Sequence, residues 1–581
     1  MKRARKIRIL KVILIFLLSA ATFLIPFESL GLHLSHIEVG AIALFLLAAL
    51  LWITEPIPIW ATSVIVIALS LLCLSNKSFS FFQPEKYDAE AVTLLVADVC
   101  GPETEPATTR ALTESILNRL NSKTRLTAEE IRLTMTQQTW EAYERAQLDK
   151  LAADEAGRSA EAAAAELRAG RLMAAAERLY RPEYALRIRE IRITNVMQQK
   201  STMATFADPV IILFLGGFFL AAAATKYRLD INLAKVLLKP FGTQPKYVLL
   251  GLMSITALFS MFMSNTATTA MMLAILGPVL ALFEPHDRGR IAFALAIPLS
   301  ANIGGIGTPI GTPPNAIALK AMEEMGLTVS FGKWMSFGVP LVIVLLLLAW
   351  LLLVKLFPIE RERLELKMRG RFIRTPKAMV VYGTFIVTIL LWTTGEFFGL
   401  DSNTIAIIPI AVFAATQVIT KRDLRNMSWE TLWLVAGGFA LGLALQDTGL
   451  AGNLINAIPF DGWSILLLMV AAGFISVFMA TFMSNTATAA LLMPIMMTAA
   501  LQLLESGSIS TGSSVALLSA VAVSCSLGMA LPISTPPNAL AYATGYVPAR
   551  AMAICGGLIS VLALALVIVV MNLLAGISFF G

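Results

Sequence analysis

Long apolar runs separated by short polar segments dominate this chain and predict transmembrane helices. The first three runs cover about residues 9–27, 38–54 and 58–76, and the string TEPIP predicts a kink between the second and the third. A helix needs about 20 apolar residues to cross a bilayer, and these runs come close to that length. The first run lacks the small-residue cleavage site of a signal peptide. We therefore predict that residues 1–76 form three transmembrane helices that open a first repeat.

Polar residues replace this pattern between about residues 77 and 205. Charges are frequent there, the tract EAAAAELRAGRLMAAAERLY is typical of a soluble helix, and no run is long enough to span a membrane. Three crossings from a cytoplasmic N-terminus would leave this segment outside the cytoplasm. A long domain can be translocated despite its positive charges. We predict a soluble, mainly helical, extracytoplasmic insertion at 77–205.

After the insertion, short apolar arms flank polar tips. Residues 246–283 contain two such arms around Ser-Asn-Thr, which suits a re-entrant hairpin better than two full spans. Residues 290–326 predict a helix broken at GGIGTPIGTPPN. The strongly basic loop 358–377 is cytoplasmic by the positive-inside rule. Residues 206–357 thus complete the first repeat.

The second half of the chain repeats these signals. LLWITE returns 340 residues later as LLWTTG, whereas MSNTAT returns after 220 residues and TPPN after 223. The difference of about 120 residues matches the length of the insertion. Residues 378–581 therefore predict a second repeat, with a hairpin at 462–505 and a broken helix at 513–546. Counting crossings makes the repeats inverted, an arrangement in which secondary transporters bind substrate between the repeats.

Composition supports an all-α polytopic membrane protein. The chain has 581 residues, of which 57% are hydrophobic and 14% charged, and its mean hydropathy is +0.75; soluble proteins have about 25% charged residues. The net charge of +7 comes from short basic loops and the N-terminus, so it does not indicate nucleic-acid binding. The sequence contains no Walker loop, nucleophile–base pair or metalloprotease helix, and we predict that the protein is not an enzyme.

The repeated polar strings predict an ion-binding site. A helix that begins just after Ser-Asn-Thr directs free N–H groups and its positive dipole end towards the break. The adjacent prolines of TPPN suit the first turn of a helix, where a missing N–H costs nothing. Four such N-termini can bind an anion without arginine or lysine. Free carbonyls with Ser and Asn oxygens suit Na⁺. The segments that carry the motifs, residues 246–283, 291–322, 464–504 and 513–545, contain no Asp or Glu that could couple transport to protons. A single copy would more often be a helix-packing device; two matched copies favour function.

Two Ser-Asn-Thr strings, each followed by TPPN, resemble the divalent anion/sodium symporter family, which includes sodium-dependent dicarboxylate, citrate and sulfate carriers. The resemblance implies about eleven spans, a homodimer with a static scaffold, and a transport domain that moves as an elevator. It implies that the substrate carboxylates are bound by Asn265, Thr266, Thr312, Pro313, Asn485, Thr486, Thr535 and Pro536. It implies one Na⁺ site at Ser260, Ser264, Asn265 and Gly311, and another at Met483, Asn485 and Ser534. The family has threonine where this chain has Ala480.

Together these observations predict a Na⁺-coupled importer of C4-dicarboxylates such as succinate, malate and fumarate. We expect a homodimer embedded in the lipid bilayer of a bacterial cytoplasmic (inner) membrane, with the N-terminus inside and no nucleic-acid partner. A dicarboxylate or anion exchanger, and a Na⁺-coupled sulfate or citrate carrier, remain open alternatives. The sequence leaves the Na⁺ stoichiometry and the role of the insertion open.

Overall fold

The computed structural model describes most of the chain. The described residues are 2–30, 34–79, 89–102, 104–121, 128–181, 184, 188, 197–280, 283–284, 287–364, 372–451, 453 and 463–580. Parts of the predicted insertion and of the predicted loop 358–377, together with residue 462 of the predicted second hairpin, lie outside these ranges. Within them the secondary structure is helical, apart from one isolated bridge between Ser75 and Met197.

The helices follow the predicted order of spans, insertion, hairpins and broken helices. The helices of the first half are α1 (Lys2–Ala20), α2 (His36–Thr54), α3 (Ile59–Leu69), α4 (Ala89–Cys100), α5 (Pro106–Asn121), α6 (Ala128–Glu155), α7 (Ser159–Arg178), α8 (Gln199–Ala204), α9 (Pro209–Lys226), α10 (Leu229–Leu238), α11 (Pro245–Ser260), α12 (Asn265–Leu280), α13 (Gly289–Gly305), α14 (Pro313–Glu324) and α15 (Phe331–Leu356). Those of the second half are α16 (Pro376–Thr394), α17 (Ser402–Ile405), α18 (Ile407–Ala415), α19 (Lys421–Arg425), α20 (Trp429–Asp447), α21 (Ile465–Phe482), α22 (Asn485–Glu505), α23 (Thr511–Cys525), α24 (Pro536–Ala543) and α25 (Ala549–Gly576).

Eight helices within the described ranges are long and apolar enough to cross a membrane. They are Lys6–Leu24, His36–Thr54, Gln199–Lys226, Phe331–Leu356, Pro376–Phe398, Ile465–Phe482, Asn485–Glu505 and Ala549–Gly576. Shorter apolar helices accompany them at Ile59–Leu74, Pro245–Ser260, Ser402–Ala415 and Thr511–Cys525. The protein is therefore an all-helical integral membrane protein with many spans. The eight include both arms of the predicted second hairpin, Ile465–Phe482 and Asn485–Glu505, which are therefore longer than the short re-entrant arms we predicted.

The helices α4 to α7 pack around a hydrophobic core of their own. Val92 and Leu172 are among its fully buried members, and this core is separate from that of the membrane helices. The two ends of the segment lie side by side: the Asn76 N–H donates to Met197 O at 2.8 Å, and Asn76 Nδ2 donates to Gln198 Oε1 at 2.7 Å. The chain thus leaves the membrane helices and returns to them at one point, as an inserted module requires.

The two broken helices occupy the centre of the membrane part. In α13 every residue from Ala292 to Gly305 is buried, and in α23 every residue from Ser514 to Cys525 is buried. A helix that is apolar on all sides is stable only when other helices surround it. Here α11, α12 and α15 pack around α13, while α21, α22 and α25 pack around α23. Both central helices end at a break, so their C-terminal carbonyls are buried within the protein.

The paired glycines of the two halves bring helices into close contact. A Cβ at Gly216 of α9 would lie 2.5 Å from the backbone oxygen of Ala406, so even the methyl group of an alanine would not fit there. In the second half, a Cβ at Gly437 of α20 would meet Ser63 of α3 just as closely. Because glycine has no side chain, the backbones can approach each other at both places. These contacts hold α9 against Ala406 and α20 against α3.

Candidate anion and cation site at the helix breaks

One cavity of about 310 Å³ lies where the two hairpin tips and the two helix breaks meet. It is lined by Pro58, Ile59, Trp60, Phe214, Phe218, Ser264, Asn265, Thr266, Asn302, Ile310, Gly311, Thr312, Pro313, Glu430, Thr431, Leu434, Ser484, Asn485, Thr486, Ser534, Thr535, Pro536 and Pro537. The hairpin tips and breaks supply the polar wall, and α3, α9 and α20 supply most of the apolar wall. The volume is at the small end of the range for ligand pockets, which is about 300–1,000 Å³.

Four helices begin at this cavity. They are α12 at Asn265, α14 at Pro313, α22 at Asn485 and α24 at Pro536. The residues before three of them are N-caps, in which a side-chain hydroxyl accepts one backbone N–H: Ser264 from Ala267 at 3.3 Å, Ser484 from Ala487 at 3.2 Å, and Thr535 from Asn538 at 3.3 Å. The N-termini of α12 and α22 keep further free N–H groups at the cavity, whereas α14 and α24 each begin with two prolines, which have no N–H, and contribute their positive dipole ends. The arrangement favours an anion.

The asparagine of each TPPN string holds the unwound backbone of its break. Asn315 Nδ2 donates to Thr308 O at 2.8 Å and to Gly305 O at 3.1 Å. Asn538 Nδ2 donates to Met529 O at 2.9 Å and to Leu531 O at 3.0 Å. Sequence reasoning did not assign these two residues a role, although their repetition in both strings was the available signal. They keep the break open while binding the carbonyls that the helix leaves unpaired.

An oxygen-lined cage lies behind the first hairpin tip. One end of the Asn265 amide lies 2.6 Å from Ser260 Oγ and 3.2 Å from both Gly311 O and Ala301 O. The Asn265 amide can satisfy these neighbours in two ways. With its nitrogen towards them, it donates hydrogen bonds to all of them. With its oxygen towards them, it accepts a hydrogen bond from the Ser260 hydroxyl and faces the two carbonyl oxygens, and a cation among these four oxygens would remove the remaining repulsion. Neutral oxygens at a helix break are the ligands that bind Na⁺ in membrane carriers.

The corresponding place behind the second tip is built differently. Ala480 stands there, fully buried and without a hydroxyl. Ser534 Oγ donates to Thr481 O at 2.7 Å and accepts the Leu531 N–H at 3.1 Å, so this hydroxyl is already engaged. Asn485 Oδ1 is buried and has no hydrogen-bond partner within the described part of the chain. The second half therefore has an unsatisfied amide oxygen but fewer converging oxygens around it.

The family follows from comparison with known proteins. A family model described as citrate transporter matches residues 172–511 of this chain. The chain is 30% identical to the sodium-dependent dicarboxylate transporter SdcS of Staphylococcus saprophyticus, over 66% of this chain and 79% of that protein. The chain belongs to the divalent anion/sodium symporter family. The members of this family are transporters and not enzymes.

Two further matches accompany these. The chain is 28% identical to the sodium-dependent high-affinity dicarboxylate transporter 3 of Caenorhabditis elegans, over 66% of this chain and 77% of that protein. Among solved structures, the YdaH transporter of Alcanivorax borkumensis matches with a TM-score of 0.47 and 16% identity, over 65% of this chain and 87% of that one.

All eight residues that the resemblance to the symporter family implies for substrate binding line the one cavity. Of the implied Na⁺ ligands, Ser264, Asn265, Gly311, Asn485 and Ser534 also line it. The other two, Ser260 and Met483, are buried behind the tips. The structure adds the Ala301 carbonyl to the first cage. No sequence pattern identifies that carbonyl because its position depends on how α13 packs against the first hairpin.

Sequence reasoning also missed one carboxylate side chain that lines this cavity. Glu430, in the first turn of α20, lines the cavity and is exposed. Glu430 lies outside the segments that carry the motifs. The lack of Asp and Glu in those segments is therefore weaker evidence against proton coupling than it is from the sequence alone. Glu55, which belongs to the predicted kink TEPIP, does not line the cavity; it ends α2 in the left-handed region, with φ 41°.

Proposed function

We propose that this protein is a secondary transporter that uses the Na⁺ gradient to import C4-dicarboxylates. The observation that carries the proposal is the meeting of four helix N-termini with a neutral oxygen cage at one cavity. The N-termini supply partial positive charge for an anion, and the cage supplies ligands for a cation. Relatives named as sodium-dependent dicarboxylate transporters support the choice of both ions.

The two hairpin tips would bind the two ends of the substrate. Asn265 and Thr266 lie at one tip, and Asn485 and Thr486 lie at the other. A linear dianion can therefore place one carboxylate at each tip, where helix N–H groups and side-chain donors meet it. Thr312 and Thr535 begin the remaining two helices and complete each end of the pocket. The roles of these residues form part of the proposal.

Na⁺ would bind before the anion and prepare the tips. A cation in the first cage turns the Asn265 oxygen towards itself, and this leaves the amide nitrogen free to donate towards the cavity. The positive charge also lies directly behind the site where a carboxylate binds, so each ion raises the affinity for the other. The same reasoning applies to Asn485, whose buried oxygen has no partner among the described residues.

The cavity opens on the side of the first hairpin. Thr266 is exposed, whereas Thr486 is only 8% exposed. Trp60 and Glu430, which also line the cavity and are exposed, lie in the first turns of α3 and α20. With a cytoplasmic N-terminus, all three exposed residues lie on the cytoplasmic side. We propose that this conformation faces inward, in a homodimer of the bacterial inner membrane whose transport domain moves as an elevator.

One observation favours a second candidate, in which H⁺ replaces Na⁺. Glu430 lines the cavity and can carry a proton. Anion exchange and Na⁺-coupled transport of sulfate or citrate would use the same anion pocket. The match to the citrate transporter family model keeps citrate among the candidate substrates.

Uptake of labelled succinate into proteoliposomes tests the proposal. We expect accumulation with an inward Na⁺ gradient and none with Li⁺ or K⁺ alone. Accumulation driven by a pH gradient without Na⁺, and lost in Glu430→Gln, would identify the H⁺-coupled carrier. Acceleration by internal dicarboxylate without any Na⁺ requirement would identify an exchanger. Competition by unlabelled sulfate or citrate measures the preference for the anion.

A further inference from the structure

Asn302 connects the two halves of the cavity. It lies near the C-terminal end of α13, is 1% exposed, and lines the cavity. Its Nδ2 donates to Thr535 Oγ1 at 3.2 Å and to Asn538 Oδ1 at 3.4 Å. Both acceptors belong to the break of the second half. One side chain of the first broken helix therefore contacts the start of the second anion-binding helix.

The orientation of the Asn302 amide is determined by its neighbour Asn538. Asn538 uses its own Nδ2 on the carbonyls of Met529 and Leu531. Its Oδ1 can only accept a hydrogen bond, so the group that faces it from Asn302 must be the donor nitrogen. Hence Asn302 also presents a donor to Thr535.

This donor determines what the Thr535 hydroxyl can do. A threonine hydroxyl has two lone pairs and one proton. At Thr535 the lone pairs accept the Asn538 N–H at 3.3 Å and the Asn302 amide at 3.2 Å. The hydroxyl proton then remains to donate, which is what a carboxylate in the cavity needs. In the first half, Thr312 caps α14 without a side-chain hydrogen bond.

The residue before Asn302 contacts the cation cage. The Ala301 carbonyl oxygen lies 3.2 Å from the Asn265 amide. That carbonyl and the backbone nitrogen of Asn302 belong to the same planar peptide unit, which moves as one body. A cation that attracts the Ala301 oxygen therefore also moves the backbone from which the Asn302 side chain extends.

We propose that Asn302 is a positioning residue that links the cation cage of the first half to the anion-binding Thr535 of the second half. The inference rests on the proposed function, because it takes Na⁺ and a dicarboxylate as the two ligands. Asn302 holds the Thr535 hydroxyl as a donor, and it does so best when Na⁺ holds the Ala301 carbonyl. The internal repeat offers a control: Cys525 occupies the equivalent position in α23, is fully buried, and has no amide donor.

Succinate titrations of the purified full-length protein at a series of Na⁺ concentrations test this link. They give the affinity and the factor by which Na⁺ raises it. We expect Asn302→Ala to lower the affinity at saturating Na⁺ about tenfold, the loss of one hydrogen bond to a charged group, and to reduce the Na⁺ factor. Cys525→Ala should change neither quantity. If Asn302→Ala does not fold, Asn302→Cys gives α13 the residue that α23 already accommodates.

A double-mutant cycle with Thr535→Val shows whether Asn302 acts through Thr535. Neighbouring residues with a shared role lose little more together than singly, whereas independent residues add their effects. We expect the double variant to bind succinate about as weakly as Thr535→Val alone. A double variant whose loss of succinate affinity is the product of the two single losses would overturn the inference while the proposed function stands. A folded Asn302 variant with unchanged succinate affinity and an unchanged Na⁺ effect on that affinity would do the same. A wild-type protein that binds no succinate in Na⁺ would overturn both.

Discussion

The two hairpin tips have the same backbone arrangement, but the side chains that pack behind them differ. In the first half, Ser260 lies behind the tip and its hydroxyl contacts Asn265 at 2.6 Å. In the second half, Ala480 occupies the equivalent place and leaves the Asn485 oxygen without a hydrogen-bond partner among the described residues. Both Ser260 and Ala480 are fully buried, and at this position the two halves differ by one hydroxyl group.

This difference shows what an internal repeat determines and what it leaves open. The repeated strings set the helix starts and the asparagine bonds across each break, and these are alike in both halves, although Thr312 lacks the side-chain cap bond that Thr535 makes. The side chains behind the tips are free to differ, so the two cation sites need not be equal. We infer that the first site binds Na⁺ more tightly, because a hard cation prefers more oxygen ligands.

The largest expected effect follows from removing either tip amide. Asn265→Ala and Asn485→Ala each remove hydrogen bonds to a charged carboxylate, which are worth roughly 1.5–3 kcal/mol. Succinate affinity should fall on the order of ten- to a hundredfold in each variant. Titration calorimetry at saturating Na⁺ measures this loss. A folded Asn485→Ala protein with normal succinate affinity would show that the second tip does not bind the anion.

Exchanging the residues behind the tips tests the inequality of the cation sites. Ser260→Ala should lower the apparent Na⁺ affinity about tenfold, because the first cage loses a ligand. Ala480→Ser should raise it by adding the missing hydroxyl. Threonine, the family residue at this place, also adds a methyl group beside Gly528, which packs against Ala480, so serine is the closer match to Ser260.

The Na⁺ dependence of succinate uptake distinguishes these outcomes. The two variants should shift the curve in opposite directions from the wild type at equal protein stability. Unchanged curves for both would mean that neither position contacts a cation, and the comparison between the halves would then carry no functional meaning.

A smaller effect is expected at an ion pair that joins the halves. Lys226, at the end of α9, contacts Asp423 of α19 at 2.6 Å. Partial burial raises the pKa of Asp423, but hydrogen bonds from Lys226 and Thr420 outweigh it and leave this pKa below its ordinary value. Because both side chains are partly exposed, the pair stabilises the fold by at most about 1 kcal/mol.

The pH dependence has a defined sign. A depressed carboxyl pKa stabilises the folded state above the pKa of the unfolded chain, and this contribution is lost as the pH falls through the folded value. Thermal unfolding of Asp423→Asn should therefore differ from the wild type at pH 7 and converge with it as the pH falls below about 4, the ordinary range of an aspartate. A difference that persists in acid would exclude the ion pair as its cause.

No loss of uptake is expected when the insertion is removed. Deletion of residues 77–197 joins Asn76 to Gln198, whose side chains already bond to each other at 2.7 Å, and makes the first half resemble the second. A well-folded deletion variant that transports no succinate would show that the module takes part in transport. Succinate uptake by the deletion variant, beside its thermal unfolding, makes this measurement.

The same module reports the orientation of the protein. Ser159→Cys places a thiol at the exposed start of α7. Burial raises the pKa of the native Cys100 to about 11, so that thiol should react little. An impermeant thiol reagent should label Ser159→Cys from outside intact cells. Labelling only in inverted vesicles would reverse the proposed topology.

Sequence reasoning predicts the fold well where the signal is periodic or repeated. The hairpins, the broken helices and the position of the insertion all follow from apolar runs and from the strings SNT and TPPN. The structure also brings together all eight residues expected at the anion site. Their convergence could be expected because inverted repeats place equivalent breaks at the same depth.

The residues that sequence reasoning missed depend on tertiary packing. Glu430 lies at the cavity on α20, which packs closely against α3 at Gly437. The Ala301 carbonyl approaches the Asn265 amide because α13 packs against both arms of the first hairpin. Asn302 has no equivalent amide in the second half, so the repeat itself gives no signal for it. None of these positions stands in a motif, and contacts between distant segments alone identify them.

Simultaneous fluxes of labelled sodium and labelled succinate into the same proteoliposomes test the central claim most directly. If one cavity binds both ions, sodium should enter together with succinate, removal of either should stop the flux of the other, and Asn485→Ala should lower both in parallel. Succinate that enters while no labelled sodium accompanies it would contradict the account.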